Sequence, residues 1–147
     1  MVRQLLIRVM PYLLMYCLEA WVKYGQQASQ PAVIAVGTEF FRTRTCYPHL
    51  VLVQIYDGVD VALIDPIAID DLSPLTQLMT NPDVIKVLHA CSEDLETFEF
   101  ALGVMPEPFF DTQVAAQLAG LGTSVGYGRL GELLPACTLA HGQSRTA

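Results

Sequence analysis

Residues 31–41, PAVIAVGTEFF, are the stretch on which the architecture turns. Pro31 to Val36 reads as a short apolar strand, and the strand runs on into Gly37-Thr38-Glu39-Phe40. Side chains at i and i+2 of a β-strand point to the same face, so two acids separated by one residue converge on one point. Glu39 supplies one such acid, and Gly37, two residues before it, offers no ligand. Hard divalent cations take oxygen ligands and keep several waters, so a few carboxylates and a substrate phosphate suffice to hold them. Two such ions about 4 Å apart activate a water and stabilise the leaving oxygen of an in-line displacement. Phe40 and Phe41 alternate faces, which places one ring in the core and the other near a cleft.

Working outward, Leu50 to Tyr56 and Val59 to Ile64 flank Asp57-Gly58, a dipeptide suited to a tight hairpin turn. Ser73-Pro74 reads as an N-cap followed by a first helical residue, and Asn81-Pro82 closes that helix. Val84 to Leu88 predicts a buried strand. Ser92 is placed to cap a helix that runs to Leu102 and stops at Gly103. Phe109 to Asp111 predicts a short strand, Thr112 to Leu121 a packed helix, and Arg129 to Leu134 a weak helix ended by Pro135. A hairpin followed by alternating helices and strands makes an α/β sandwich with a mixed sheet. Gly126 to Gly131 matches G-x-G-x-x-G, but a helix precedes it and no acid follows Glu132, so it is rejected as a dinucleotide fingerprint.

With 147 residues the chain is one domain, able to bury a core. Hydrophobic residues make up 52% and charged residues 16%, an apolar excess that suggests surface covered by further protein. The net charge of −7 excludes nucleic-acid binding driven by bulk electrostatics. It is compatible with an acidic metal-dependent nuclease, since bound cations invert the local field. Every acid except Glu19, Glu39 and Glu132 lies between Asp57 and Asp111, where Lys86 is the only base; most are read as a solvated surface. The 4 cysteines are widely spaced and make no zinc pattern with the histidines, so they are read as free thiols. Val9 to Leu18 is uncharged but too short to span a bilayer. A helical or irregular lead-in, around Tyr12 to Tyr24, is expected there ahead of a signal peptide or a membrane anchor.

Five tracts give this pattern a family. Ala35 to Tyr47 (AVGTEFFRTRTCY) resembles the first motif of ribonuclease D, a 3′-5′ exoribonuclease family of the DEDD superfamily, with Gly37 standing where that family has Asp. His89 to Phe98 (HACSEDLETF) resembles its second acidic motif, and Asp94 falls on the metal-ligand position. Leu63 to Pro66, Glu107 to Gln113 and Gln143 to Thr146 extend the likeness colinearly from about Pro31 to Thr146. The family's third motif, a Tyr and an Asp on a later helix, lies past Ala147.

The resemblance implies a ribonuclease H-like mixed sheet flanked by helices, incomplete at the C-terminus, with residues 1–30 as lead-in and 31–147 as a partial exonuclease domain. It implies metal-dependent hydrolysis of RNA from the 3′ end, with tRNA precursors as substrates, Mg²⁺ or Mn²⁺ as cofactor and a cytoplasmic location without stable membrane association. Glu39 and Asp94 are the expected catalytic and metal-binding residues, and Thr38, Phe40 and His89 the candidates for substrate contact. His89 also reads as a histidine braced in the core, and Asp111 as a helix cap ahead of a metal ligand. Arg42 and Arg44 suit RNA phosphates or surface ion pairs equally. With Gly37 in the first motif and the third motif missing, this chain is expected to be catalytically silent. The other reading is a non-catalytic nucleic-acid-binding remnant of a decayed gene.

Overall fold

The architecture is that of a computed structural model, which describes residues 12–15, 29, 32–42, 44 and 46–133. The elements in chain order are β1 (Tyr12–Met15), β2 (Val33–Phe41), β3 (His49–Tyr56), β4 (Val61–Ile64), α1 (Ser73–Met79), β5 (Ile85–Leu88), α2 (Ser92–Leu102), β6 (Phe109–Asp111), α3 (Thr112–Leu118) and α4 (Tyr127–Leu133). The strands form one six-stranded sheet in the order β1-β4-β3-β2-β5-β6. Strands β2, β3 and β4 are antiparallel neighbours, while β1 on β4, β5 on β2 and β6 on β5 are parallel. This is the mixed α/β sheet expected from the sequence, with PAVIAVGTEFF supplying a central strand.

Alternation along the strands sorts the two faces. Ile34 and Val36 of β2, Val53 and Ile55 of β3, Ala62 and Ile64 of β4 and Leu88 of β5 are buried together with Leu75, Leu78 and Met79 of α1 and Phe98 of α2. The opposite face is less fully covered. There Ala116, Val125 and Leu130 make a small second cluster, with Leu133 packed against it.

Several local expectations shift for identifiable reasons. The β3–β4 connection is a four-residue loop rather than a two-residue turn, because the Asp57 carboxylate accepts from Val59 N (2.9 Å) and Asp60 N (2.7 Å) and keeps both out of the ladder. Gly58, at φ 99°, takes the left-handed conformation this loop requires. Neither serine caps its helix. The first helical bonds run from Thr76 N to Leu72 O (3.0 Å) and from Leu95 N to Cys91 O (2.9 Å), which makes Leu72 and Cys91 the capping residues. Gly103 does end α2 in the left-handed conformation, φ 71°.

The lead-in is corrected in part. Residues 12–15 form an edge strand parallel to β4 where a helix or irregular segment was expected, and backbone pairing with a strand about fifty positions away outweighs local preference. The rest of the lead-in and the tract Gln143 to Thr146 lie outside the described residues, as do Cys17 and Cys137. Among the described residues Cys46 and Cys91 are free thiols.

Two polar groups hold the sheet's ends in place. Lys86 is fully buried, and its Nζ donates to the carbonyls of Asn81 (2.8 Å), Val84 (2.7 Å) and Glu107 (2.8 Å), fastening the start of β5 to the segment before β6. Asp111 ends β6 and accepts from four backbone N–H groups: Ala90 (3.1 Å) and Cys91 (3.0 Å) before α2, and Gln113 (2.8 Å) and Val114 (3.3 Å) in α3. Burial raises this carboxyl, but the hydrogen bonds from Cys91, Gln113 and Ala90 outweigh it and bring it down to about 2. The capping role read from the sequence is the one observed.

Asp111→Asn keeps an acceptor toward Ala90 and Gln113 but turns an NH₂ group against the Cys91 N–H. It is expected to lower the unfolding free energy by about 1–3 kcal/mol in denaturant titrations near neutral pH. Since the folded carboxyl titrates at about 2 and the free one at 3.8, its contribution is complete above the free value and is lost as pH falls through the folded value. Native and variant stabilities should therefore converge as pH drops below 3.8, and a gap independent of pH would contradict the assignment.

Candidate functional site

Strands β2, β5 and β6 run parallel, so their C-terminal ends bring residues to one edge of the sheet, where open α/β folds bind ligands. The β2–β5 register pairs Val33 with Ile85 and Ala35 with Val87, and Gly37 lies two residues beyond Ala35 on β2. On its other side Gly37 faces Gln54 of β3. A cleft of about 800 Å³ opens here, lined among others by Gly37, Thr38, Gln54, His89, Asp94 and Tyr127.

Asp94 enters from the first turn of α2, where a carboxylate is favoured by the helix dipole. Its Oδ1 accepts the Thr38 hydroxyl, a direct bridge between the two sequence motifs. Burial raises the Asp94 carboxyl, opposed by the Thr38 hydrogen bond, which lowers it. Gly37 leaves the cleft floor bare: a Cβ at that position would meet nothing within 4 Å.

Glu39 shares Gly37's face of β2 by alternation and pairs with Leu52, but it is not among the residues lining the cleft. The register shifts between Glu39 and Phe40. Neither phenylalanine meets its expectation: Phe40 is half-buried, Phe41 is exposed and stacks on His49 at 5.5 Å, and neither lines the cleft. Arg42 sits 6.0 Å from the Phe40 ring centre and pairs with Glu96 at 2.6 Å, so its surface-pair reading is realised. Among the described residues no group of three or more His, Cys, Asp and Glu side chains is placed to hold a metal ion.

His89 is held by a short relay. The Thr112 hydroxyl donates its single proton to Leu88 O (3.1 Å), so toward His89 it can only accept, and Nδ1 carries the hydrogen across the 2.8 Å contact. In the neutral ring Nε2 is then a lone-pair acceptor. It is buried and has no hydrogen-bond partner, the single such side-chain atom among the described residues. An unsatisfied buried group costs about 1–3 kcal/mol, which calls for a reason. Tyr127 stands edge-on to the His89 ring, 5.6 Å away at 73°. Thr112 and Tyr127 were not singled out from the sequence as site residues. Both reach His89 through tertiary packing, and Tyr127 sits inside the rejected glycine pattern, here part of a short helix.

Comparison with known proteins agrees with this geometry. Residues 16–144 match the family model described as a 3′-5′ exonuclease. The chain is 47% identical over 120 residues to ribonuclease D of Shewanella sp. (strain ANA-3), covering 82% of this chain and 31% of that protein. It is 45% identical over 119 residues to ribonuclease D of Haemophilus influenzae, covering 81% and 30%. The crystal structure of Escherichia coli RNase D, described as an exoribonuclease involved in structured RNA processing, superposes with a TM-score of 0.84 at 41% identity, over 93% of this chain and 36% of that one. The chain thus spans about a third of the length of these relatives. With both motifs meeting at the Thr38–Asp94 bond and the match running through most of its length, the chain belongs to the 3′-5′ exonuclease family, as a ribonuclease D-like exonuclease domain.

Proposed function

We propose that this chain receives the 3′ end of an RNA, with tRNA precursors as the natural ligands, in an exonuclease cleft that is short of the ligand needed to cut it. The observation that carries the proposal is Gly37: the position that should project a carboxylate into the cleft projects nothing, and open space surrounds it. Hydrolysis in this family class rests on Mg²⁺ or Mn²⁺ held by converging carboxylates, one ion activating water and the other steadying the leaving oxygen. One relative, Brucella melitensis NrnC, has been solved with bound Mg²⁺. In this chain Asp94 is the acid at the cleft, Glu39 is the second candidate ligand, and no acid follows Glu132 in the 147 residues.

The remaining groups suit holding a strand rather than cleaving it. The Thr38 hydroxyl and the Asp94 carboxylate fix each other. Phe40, half-buried beside the bulge and outside the cleft lining, is the ring we assign to stacking on a base that leaves the cleft. The surrounding surface is acidic overall, so affinity comes from the cleft and not from bulk charge. The expected compartment is the cytoplasm, where such RNA is processed; no helix among the described residues is long and apolar enough to cross a membrane.

Incubated with a 5′-labelled single-stranded RNA in Mg²⁺ or Mn²⁺, the chain should shorten it no faster than a Glu39→Ala variant does. Shortening that depends on Glu39 would show that other groups complete the site. Gly37→Asp restores the i, i+2 pair without a steric clash and should tighten Mn²⁺ binding by about ten-fold in calorimetry. It should leave RNA turnover absent until a C-terminal segment carrying the Tyr and Asp of the third motif is joined to the chain. Full turnover by Gly37→Asp alone would contradict this account, as would unchanged Mn²⁺ affinity.

A further inference from the structure

The buried Nε2 of His89 has a fixed character and no partner. The Thr112–Leu88 relay sets Nδ1 as the donor and leaves Nε2 a lone pair beside the cleft that also contains Gly37, Thr38 and Asp94. An acceptor in this place is matched only by a group with a hydrogen to give. Phosphate oxygens are acceptors and do not qualify. Base amino groups donate, but differ from one nucleotide to the next. The ribose hydroxyls are the donors that every terminal nucleotide of an RNA presents, and the 2′ hydroxyl is absent from DNA.

The aromatic ring that meets the His89 imidazole is one that solvent already reaches. Tyr127 lies edge-on to the imidazole and is 62% exposed, on the seven-residue helix α4. A sugar reaches the nitrogen by displacing that ring, while Thr112 keeps the imidazole in place. His89 lines the same cleft as Gly37, Thr38 and Asp94, so a terminal nucleotide held there would bring its sugar to the histidine.

We infer that His89 Nε2 accepts a hydrogen bond from a hydroxyl of the 3′-terminal ribose, which makes His89 the residue by which the cleft tells an RNA end from a DNA end. The inference rests on the RNA-end reading above and adds to it the group that recognises the sugar. It also accounts for the orphaned acceptor, whose partner arrives with the ligand.

The test is equilibrium binding of 5′-labelled oligonucleotides of one sequence whose last nucleotide is ribo, 2′-deoxy or 3′-deoxy, with no divalent ion present. The native chain should prefer the ribo end over one of the two deoxy ends by about ten-fold, one hydrogen bond's worth, and the losing end identifies which hydroxyl is read. His89→Asn keeps an N–H for Thr112 but removes the second nitrogen, and should bind all three ends equally at the weaker value. His89→Phe, which keeps an aromatic body against Tyr127, should do the same. Equal binding of the three ends by the native chain overturns this inference and leaves the RNA-end reading standing. A preference that survives in both variants also overturns it. Failure of the native chain to bind any of the oligonucleotides overturns the RNA-end reading, and this inference with it.

Discussion

The Asp111 carboxylate is the constraint on which the rest of the cleft depends. It stands at the end of β6 and gathers N–H groups from two separate segments, Ala90 and Cys91 before α2 and Gln113 and Val114 in α3. Ala90 takes a left-handed conformation, φ 51°, so the chain reverses sharply between β5 and α2. A non-glycine residue holds that geometry only where the surroundings over-determine it. Two hydrogen bonds donated by Ala90 N and Cys91 N to the charged Asp111 carboxylate do so here. The reversal sets His89 at the cleft wall and starts α2 two residues before Asp94, which reaches Thr38. A group that looks like a metal ligand in an acidic motif is instead the clamp that aims the true candidates.

What the clamp aims is the place where the two motifs meet. Parallel pairing of β2 with β5 puts the first and second motifs side by side, and the hydrogen bond between Thr38 and Asp94 joins them. The hydrophobic cluster beneath, from Ile34 to Phe98, is built without Gly37, so the fold does not depend on a carboxylate at that position. That separation is physical. Hydrophobic burial holds the sheet, whereas an ion site needs several oxygens at one point, and Gly37 supplies none of them. Fold and activity can therefore part company at one residue.

The sequence was legible where the signal is local. The strand periods, the Gly103 helix end and the Asp111 cap all follow from residue chemistry within a few positions, and the two motifs located Thr38 and Asp94 at one site. It was illegible where partners come from afar. The β1 strand exists through its pairing with β4, which no local pattern announces. The serine caps failed because Asp71 already engages Ser73 N at 2.9 Å and Asp111 engages Cys91 N, so the backbone closes its first turn one residue earlier. The tautomer of His89 depends on Thr112, more than twenty positions on, and Phe40 misses full burial because the strand shifts register beside it.

The central proposal is that the cleft lined by Gly37, Thr38, His89 and Asp94 corresponds to the family's metal site, with Gly37 withholding a ligand on its strand. Paramagnetic broadening by Mn²⁺ tests it most directly, because it reports where the ion sits. In the native chain, amide signals of Thr38, His89 and Asp94 should stay sharp at Mn²⁺ levels that broaden exposed acidic loops. In Gly37→Asp those three signals should broaden first. Broadening centred elsewhere in the variant, or already centred on these residues in the native chain, would contradict the account.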